Sequence, residues 1–472
     1  MSVRDRLESI LQPNEEIDLT SGEIARPMLY LSLPIVVTNL LQTAYNLADT
    51  FWLGQYSTEA LAAISFAFPM VYLLISLAVG LSVAGSVLVA QHVGAGNDRH
   101  ARYAASQTIA LATLVSGALG VVGFLFAADF VDLLGASPDI APLATGYMRV
   151  YSPGLVFVFG FAMFIALMRG YGDTVTPMLV MLGSVVLNIA LDPFLIMGWG
   201  PFPELGIEGA AAATIVSRAA AFVVGLWIMF RGTRGVTISL REMRPNLSYY
   251  RTLFRIGVPA SIEGTGRALS INLLLVIVAA FPTTVVAAYG IGTRVFSVIF
   301  LPAIAFSQGV ETMTGQNVGA GNLDRVAETN GFASRVMFLL LAATGVAIWL
   351  AARPISAAFT TDPAVVEASV TFLEYVAPTF GFIGVMYAYT GGFRGVGMTA
   401  VAAAISIAML GVVRLPVAWV ATSSLGSAGI WIAFAVSNVA GGVIAYLWFR
   451  RGTWRDVDAT GVRTGSAVAG DD

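Results

Sequence analysis

An all-α polytopic membrane protein, with about twelve transmembrane helices in two six-helix lobes, is the fold class the sequence predicts, and three observations predict it. Of 472 residues 57% are hydrophobic and 11% charged, with a mean hydropathy of +0.80, so a soluble globule would have nowhere to hide its apolar surface. Windows of about 20 apolar residues, the length that crosses a bilayer as helix, recur along the chain. The heptapeptide QHVGAGN (Gln91–Asn97) returns as QNVGAGN (Gln316–Asn322). Other classes lose their support at the same time. The net charge of −3 is unevenly spread, nothing points to nucleic acid, and the absence of cysteine removes disulfides, thiolate nucleophiles and cysteine metal sites. All 25 basic residues are arginine, which with the acidic Asp471 and Asp472 suggests a prokaryotic, salt-adapted or GC-rich source.

In chain order, MSVRDRLESILQPNEEIDLTSGEI has acids and a proline where a signal peptide needs an apolar core, so residues 1–24 read as a cytoplasmic tail. Spans are expected near 27–53, 60–92, 102–127, 143–168, 175–197 and 207–230, forming a lobe over 25–231. A linker at 232–253 precedes a second lobe over 254–450, with spans near 254–280, 285–317, 326–350, 367–392, 398–420 and 428–449 and a tail at 451–472. Spans 2 and 8 are too long for one straight crossing, so they tilt or continue as helix beyond the bilayer. Arginines fall after alternate spans: Arg99 and Arg102, Arg169, the run from Arg231 to Arg251, Arg325, Arg394, and Arg450 to Arg455. The intervening loops carry none except Arg353, so the positive-inside rule puts both termini in the cytoplasm. The expected location is the plasma membrane.

Gln91 and Gln316 stand 225 positions apart (316 − 91), and the same shift relates Pro34 to Pro259, Pro153 to Pro378 and Arg169-Gly170 to Arg394-Gly395. LGIEGAAAATIVSR and LGSAGIWIAFAVSN match at a shift of 220. Six spans per copy is even, so the copies point the same way, related by a pseudo-twofold axis along the membrane normal.

The composition does not prepare for Asp49 inside the first span, LPIVVTNLLQTAYNLADTFWLG, because an aspartate near a helix centre costs about 2.5 to 3.5 kcal/mol and marks a functional site by default. LNIALDPFLIMG places Asn188 and Asp192 four residues apart on one face of span 5. At about 1.5 Å per residue, Asp49, Asp192 and Thr214 of span 6 share one slab of the outer half of the membrane and can converge. Two carboxylates close together in a low dielectric demand a proton or a cation between them. A hard cation such as sodium takes oxygen ligands, and Asp49, Asn188, Asp192 and Thr214 each offer one.

The first-span motif, the two VGAGN loops, RGYGDTVTPM, LNIALDPFLIMG, LGIEGAAAATIVSR and RIGVPAS, in this order and spacing from about Gly22 to Gly452, make the chain resemble the MATE (multidrug and toxic compound extrusion) transporters of the MOP flippase superfamily. The resemblance implies two V-shaped lobes and export of organic cations or amphipathic compounds in exchange for sodium ions or protons, with no other cofactor. It places the ion cluster on Asp49, Asn188, Asp192 and Thr214, with Tyr45 one turn before Asp49. Expected partners are lipophilic cationic small molecules and membrane lipids, with no nucleic acid, and the expected state is a monomer.

The acid site belongs to the first copy: Asp49 aligns with Leu274, and Asp192 with Val417 or, prolines matched, Leu415. In span 7, Glu263 and Arg267 are spaced as an ion pair. Pro34 removes the backbone donor to residue 30, which predicts a hinge in span 1. Protonation of the acids would then let the cavity contract and expel its cargo. Met163, among other aromatic and methionine residues, is a candidate for a cavity wall. Two other functions compete. A lipid-linked oligosaccharide flippase would want a more cationic cavity than an apolar second lobe offers, and a membrane-embedded prenyltransferase would need acid clusters on cytoplasmic loops. No catalytic residue is assigned.

Overall fold

The structure, a computed structural model, describes residues 18–456, so of the expected tails only 18–24 and 451–456 can be placed. Among the described residues there is no strand, and twelve helices are long and apolar enough to cross a membrane. They are Ala25–Tyr56, Thr58–Gly94, Asp98–Leu125, Ala141–Tyr171, Val175–Ile196 and Ile207–Arg231, then Leu247–Ala279, Thr283–Gly319, Leu323–Leu350, Pro363–Val396, Thr399–Leu425 and Ala428–Arg450, hereafter spans 1 to 12. These bounds lie within five residues of the expected ones, except that span 7 begins seven residues early, at Leu247, inside the expected linker. Large apolar side chains stay exposed along them, Leu47 at 67% and Val276 at 70% among them, as suits helices whose solvent is hydrocarbon.

The breaks within spans have local causes. Spans 4 and 10 are each interrupted by a short 3₁₀ turn, Ser152–Gly154 and Ala377–Thr379, at Pro153 and Pro378, whose missing N–H groups cannot continue the α ladder. Span 11 widens into a π-helix over Ala408–Arg414, immediately before Pro416, which removes the N–H that would otherwise reach back toward that turn. Spans 2 and 8 run 37 residues each, about 55 Å of helix, well beyond the bilayer's hydrocarbon thickness. Short helices at Ala127–Leu133 and Ala352–Phe359 occupy connections between spans, where the apolar windows predict no element.

The hinge expected at Pro34 is not a break: span 1 is continuous helix from Ala25 to Tyr56. The carbonyl that Pro34 deprives of its donor, that of Tyr30, accepts a hydrogen bond from the Thr174 hydroxyl at 3.3 Å. A side chain from another segment thus replaces the lost backbone donor.

By their contacts the described residues divide into two compact units: one holds residues 18–93 and Asn97–Ser261, the other Gly94–Gly96 and residues 262–456. In the first, span 5 packs against both span 1 and span 6. Gly209 of span 6 lies against the Leu195 carbonyl of span 5, where any Cβ would clash, and the amides of Leu205 and Gly206 bond back to the carbonyls of Leu195 and Ile196. That tight turn sets the height of span 6 against span 5. In the second unit, span 10 packs against spans 8, 9 and 12, and span 11 against span 12.

Candidate ion-coupling site

Three packed helices of the first unit bring the expected oxygens together. Asp49 is seven residues before the end of span 1, Asp192 four before the end of span 5, and Thr214 seven after the start of span 6, depths of about 6 to 11 Å. The Asp49 carboxylate lies within reach of the Asp192, Asn188 and Thr214 side chains. The Asn188 amide donates to Asp192 Oδ1 at 3.2 Å across one helical turn. Tyr45, one turn before Asp49, faces the same group. All five are buried, Asn188 and Asp192 completely.

The distinctive feature is what these side chains leave unmade. Tyr45 Oη, Asp49 Oδ1, Asn188 Oδ1, Asp192 Oδ2 and Thr214 Oγ1 are buried oxygens without a hydrogen-bond partner among the described residues. A buried polar atom left unpaired costs about 1 to 3 kcal/mol, so these five oxygens have accepting capacity that a ligand could use. The set contains only two carboxylates, and no group of three His, Cys, Asp or Glu fit to hold a metal occurs among the described residues. Oxygen-only ligation by carboxylate, amide and hydroxyl suits a hard cation rather than a thiophilic metal.

One member went unseen in the sequence. Arg218, four residues after Thr214 and therefore on the same face of span 6, is 6% exposed and interacts electrostatically with Asp49. Its Nη2 donates to Gln42 Oε1 at 2.8 Å, and its guanidinium lies 4.6 Å from the Tyr45 ring centre and 5.4 Å from that of Phe161. The signal was available: an arginine in the middle of an apolar span, inside the motif that also supplied Thr214. The other candidates lie elsewhere. Pro34 is 15 residues from Asp49 along span 1, about 22 Å, and Met163 is fully buried in span 4.

Glu263 and Arg267 belong to a separate cluster in the second unit. Arg267 Nη2 stands 3.5 Å from Glu263 Oε1, but the closer cation is Arg394, whose Nη1 is 3.1 Å from Glu263 Oε2 and whose Nε is 3.3 Å from Glu311 Oε2. Ser406 donates to Glu263 at 2.8 Å, and Arg394 Nη2 to Ser307 at 2.7 Å. The pair is therefore part of a buried network of two acids and two arginines. Two expectations fail here. The second lobe is not apolar inside, and neither Arg394 nor Arg169 is a loop residue: each sits in the last turn of its helix, the Arg394 side chain 11% exposed and Arg169 buried. The sequence placed them in loops because arginine ends the hydropathy window, whereas a paired guanidinium can stay inside.

The MatE family profile matches this chain twice, over residues 34–194 and 259–420. The FAD transporter of Shewanella oneidensis is 30% identical over 438 residues, 92% of this chain and 96% of that protein. The probable multidrug resistance protein NorM of Thermotoga maritima is 30% identical over 453 residues, 94% and 95% of the two chains. Among solved structures, that of a MATE protein in the bent conformation shares the fold at a TM-score of 0.86 and 24% identity, over 93% of this chain and 97% of that one. With its twelve spans and a buried polar cluster in each unit, the chain belongs to the MATE family of multi-pass membrane export transporters.

Proposed function

We propose that this protein is a secondary antiporter that exports amphipathic small molecules in exchange for Na⁺ or H⁺ bound between Asp49 and Asp192. The observation that supports this reading is the convergence of five unpartnered buried oxygens from spans 1, 5 and 6. Two carboxylates against the single guanidinium of Arg218 leave one negative charge, which one sodium ion or one proton neutralises. For sodium, Asp49, Asn188, Asp192, Thr214 and Tyr45 would be the ligands; for a proton, the two carboxyl groups would share it.

Coupling then follows from differential binding. A conformation that keeps the two carboxylates together is favoured when a cation sits between them, and one that separates or hydrates them is favoured when it leaves. The multidrug names of the relatives support small-molecule cargo. With arginine-rich connections inside, the coupling site lies in the outer half of the membrane, where the external cation enters first.

The test is ethidium transport in proteoliposomes with sodium and proton gradients imposed separately. Asp49→Asn and Asp192→Asn should each reduce gradient-driven transport at least tenfold while the protein remains folded. Gradient-driven rates equal to the parent's in both variants would refute the coupling role.

A further inference from the structure

The second unit contains a cavity of about 370 Å³, within the usual range for a drug-sized ligand, and the charge on its wall is positive. Arg267 and Arg414 border it together with Phe296, Phe300, Tyr387 and Phe434. The charges can be counted. Arg267 and Arg394 are matched by Glu263 and Glu311. Arg414 is 4% exposed and has no carboxylate within ion-pair distance among the described residues. Its Nε donates to Ser437 Oγ at 2.8 Å, its Nη2 to Asn438 Oδ1 at 3.0 Å, and its plane lies 4.1 Å from the Phe434 ring centre. Neutral acceptors orient the guanidinium but leave its full charge uncompensated, a costly arrangement inside a membrane helix bundle unless a ligand completes it. Arg414 also ends the π-helical stretch of span 11, a distortion that turns side chains out of the α register and is common at functional sites.

The repeat register gives this cavity a counterpart. Shifted by 225, Tyr45 and Asp49 fall on Ser270 and Leu274; shifted by 220, Thr214 falls on Phe434; and all three line the cavity. In the position of Asp192, Leu415 directly follows Arg414. The second copy thus builds in the same register a pocket without carboxylate ligands and with arginine on its wall.

We propose that this cavity binds an anionic aromatic molecule, its ring system against Phe434, Phe296 and Tyr387 and its carboxylate, sulfonate or phosphate on Arg414 with Arg267 beside it. The inference rests on the export reading above and narrows its cargo: the lipophilic cation expected from the family would meet guanidinium here. Bidentate anion recognition and ring stacking are the two things such a wall does well.

Fluorescein and rhodamine 123 share one xanthene core and carry opposite charge, so equilibrium binding of the two dyes to the purified full chain in detergent isolates the charge preference. The parent should bind fluorescein at least tenfold more tightly. Arg414→Gln should lower fluorescein affinity about tenfold and move rhodamine 123 little, and Ser270→Glu, which adds a carboxylate to the wall, should weaken fluorescein and strengthen rhodamine 123. Equal affinities in the parent, a preference for rhodamine 123, or displacement of fluorescein by phosphatidylglycerol at lower concentration than by fluorescein itself would overturn the proposal. So would unchanged fluorescein affinity in folded Arg414→Gln; should that variant fail to fold, the same result in Ser270→Glu decides. Binding is read without an ion gradient, so loss of coupling in the transport assay and loss of this preference are independent results.

Discussion

At the scale of residues, both units are governed by buried arginines whose partners decide what they do. Arg218 sits beside Asp49 without an ion pair to it among the described residues, and under the antiport reading proposed above it lowers the negative charge that a bound cation would meet. Arg218→Met should tighten cation binding about tenfold, equivalent to roughly 1.4 kcal/mol, measured as sodium-dependent protection against thermal unfolding. Arg394 plays the opposite part, holding two acids at once. Removing one partner of a buried ionic network leaves uncompensated charge and costs about 3 to 5 kcal/mol, so Arg394→Met should lower the detergent melting temperature sharply. Adding Glu263→Gln and Glu311→Gln to it should recover most of the loss. Neither arginine's role could be read from sequence: a hydropathy window counts an arginine as a penalty, and only the neighbours say whether the charge is paired, shared or waiting.

At the scale of elements, proline sets where helices yield and other side chains decide how far. Pro34 has the expected effect on its own helix, a carbonyl without a donor, yet span 1 runs through it because Thr174 supplies the missing bond. Thr174→Val should remove about 0.6 to 1.7 kcal/mol, the usual worth of a hydrogen bond between membrane helices, and loosen span 1 at Tyr30. Faster hydrogen exchange at residues 30–34 with little change elsewhere is the expected result; unchanged exchange would show that the Thr174 bond does not hold the turn. Pro416 acts differently, since its missing N–H is accommodated by a π-helical stretch that ends at Arg414. Span boundaries were legible because they depend on length and apolarity alone. The 3₁₀ turns, the π segment and the two short connecting helices were not, since each depends on which partner a freed backbone group finds.

At the scale of the whole molecule, an even number of spans returns the chain to the side it started from, and the arginine-bearing connections lead us to propose that this side is the cytoplasm. The natural lack of cysteine makes this directly testable. A membrane-impermeant maleimide applied to intact cells should label Ser137→Cys and Ser424→Cys but not Asp98→Cys or Asp324→Cys, all at exposed positions in connections or terminal helical turns. The reverse pattern would invert the topology.

The sequence by itself determined the solvent, the number and length of the spans, the family and the acids of the first unit, because apolarity and motif spacing are properties of short stretches of chain. The tertiary structure alone decided that Arg218 joins the acid cluster, that Glu263 pairs more closely with Arg394 than with Arg267, and that Arg414 faces a cavity without a carboxylate beside it. The physical reason is that the free energy of a buried charge depends on its surroundings within a few ångströms, and those surroundings come from helices far apart in the chain.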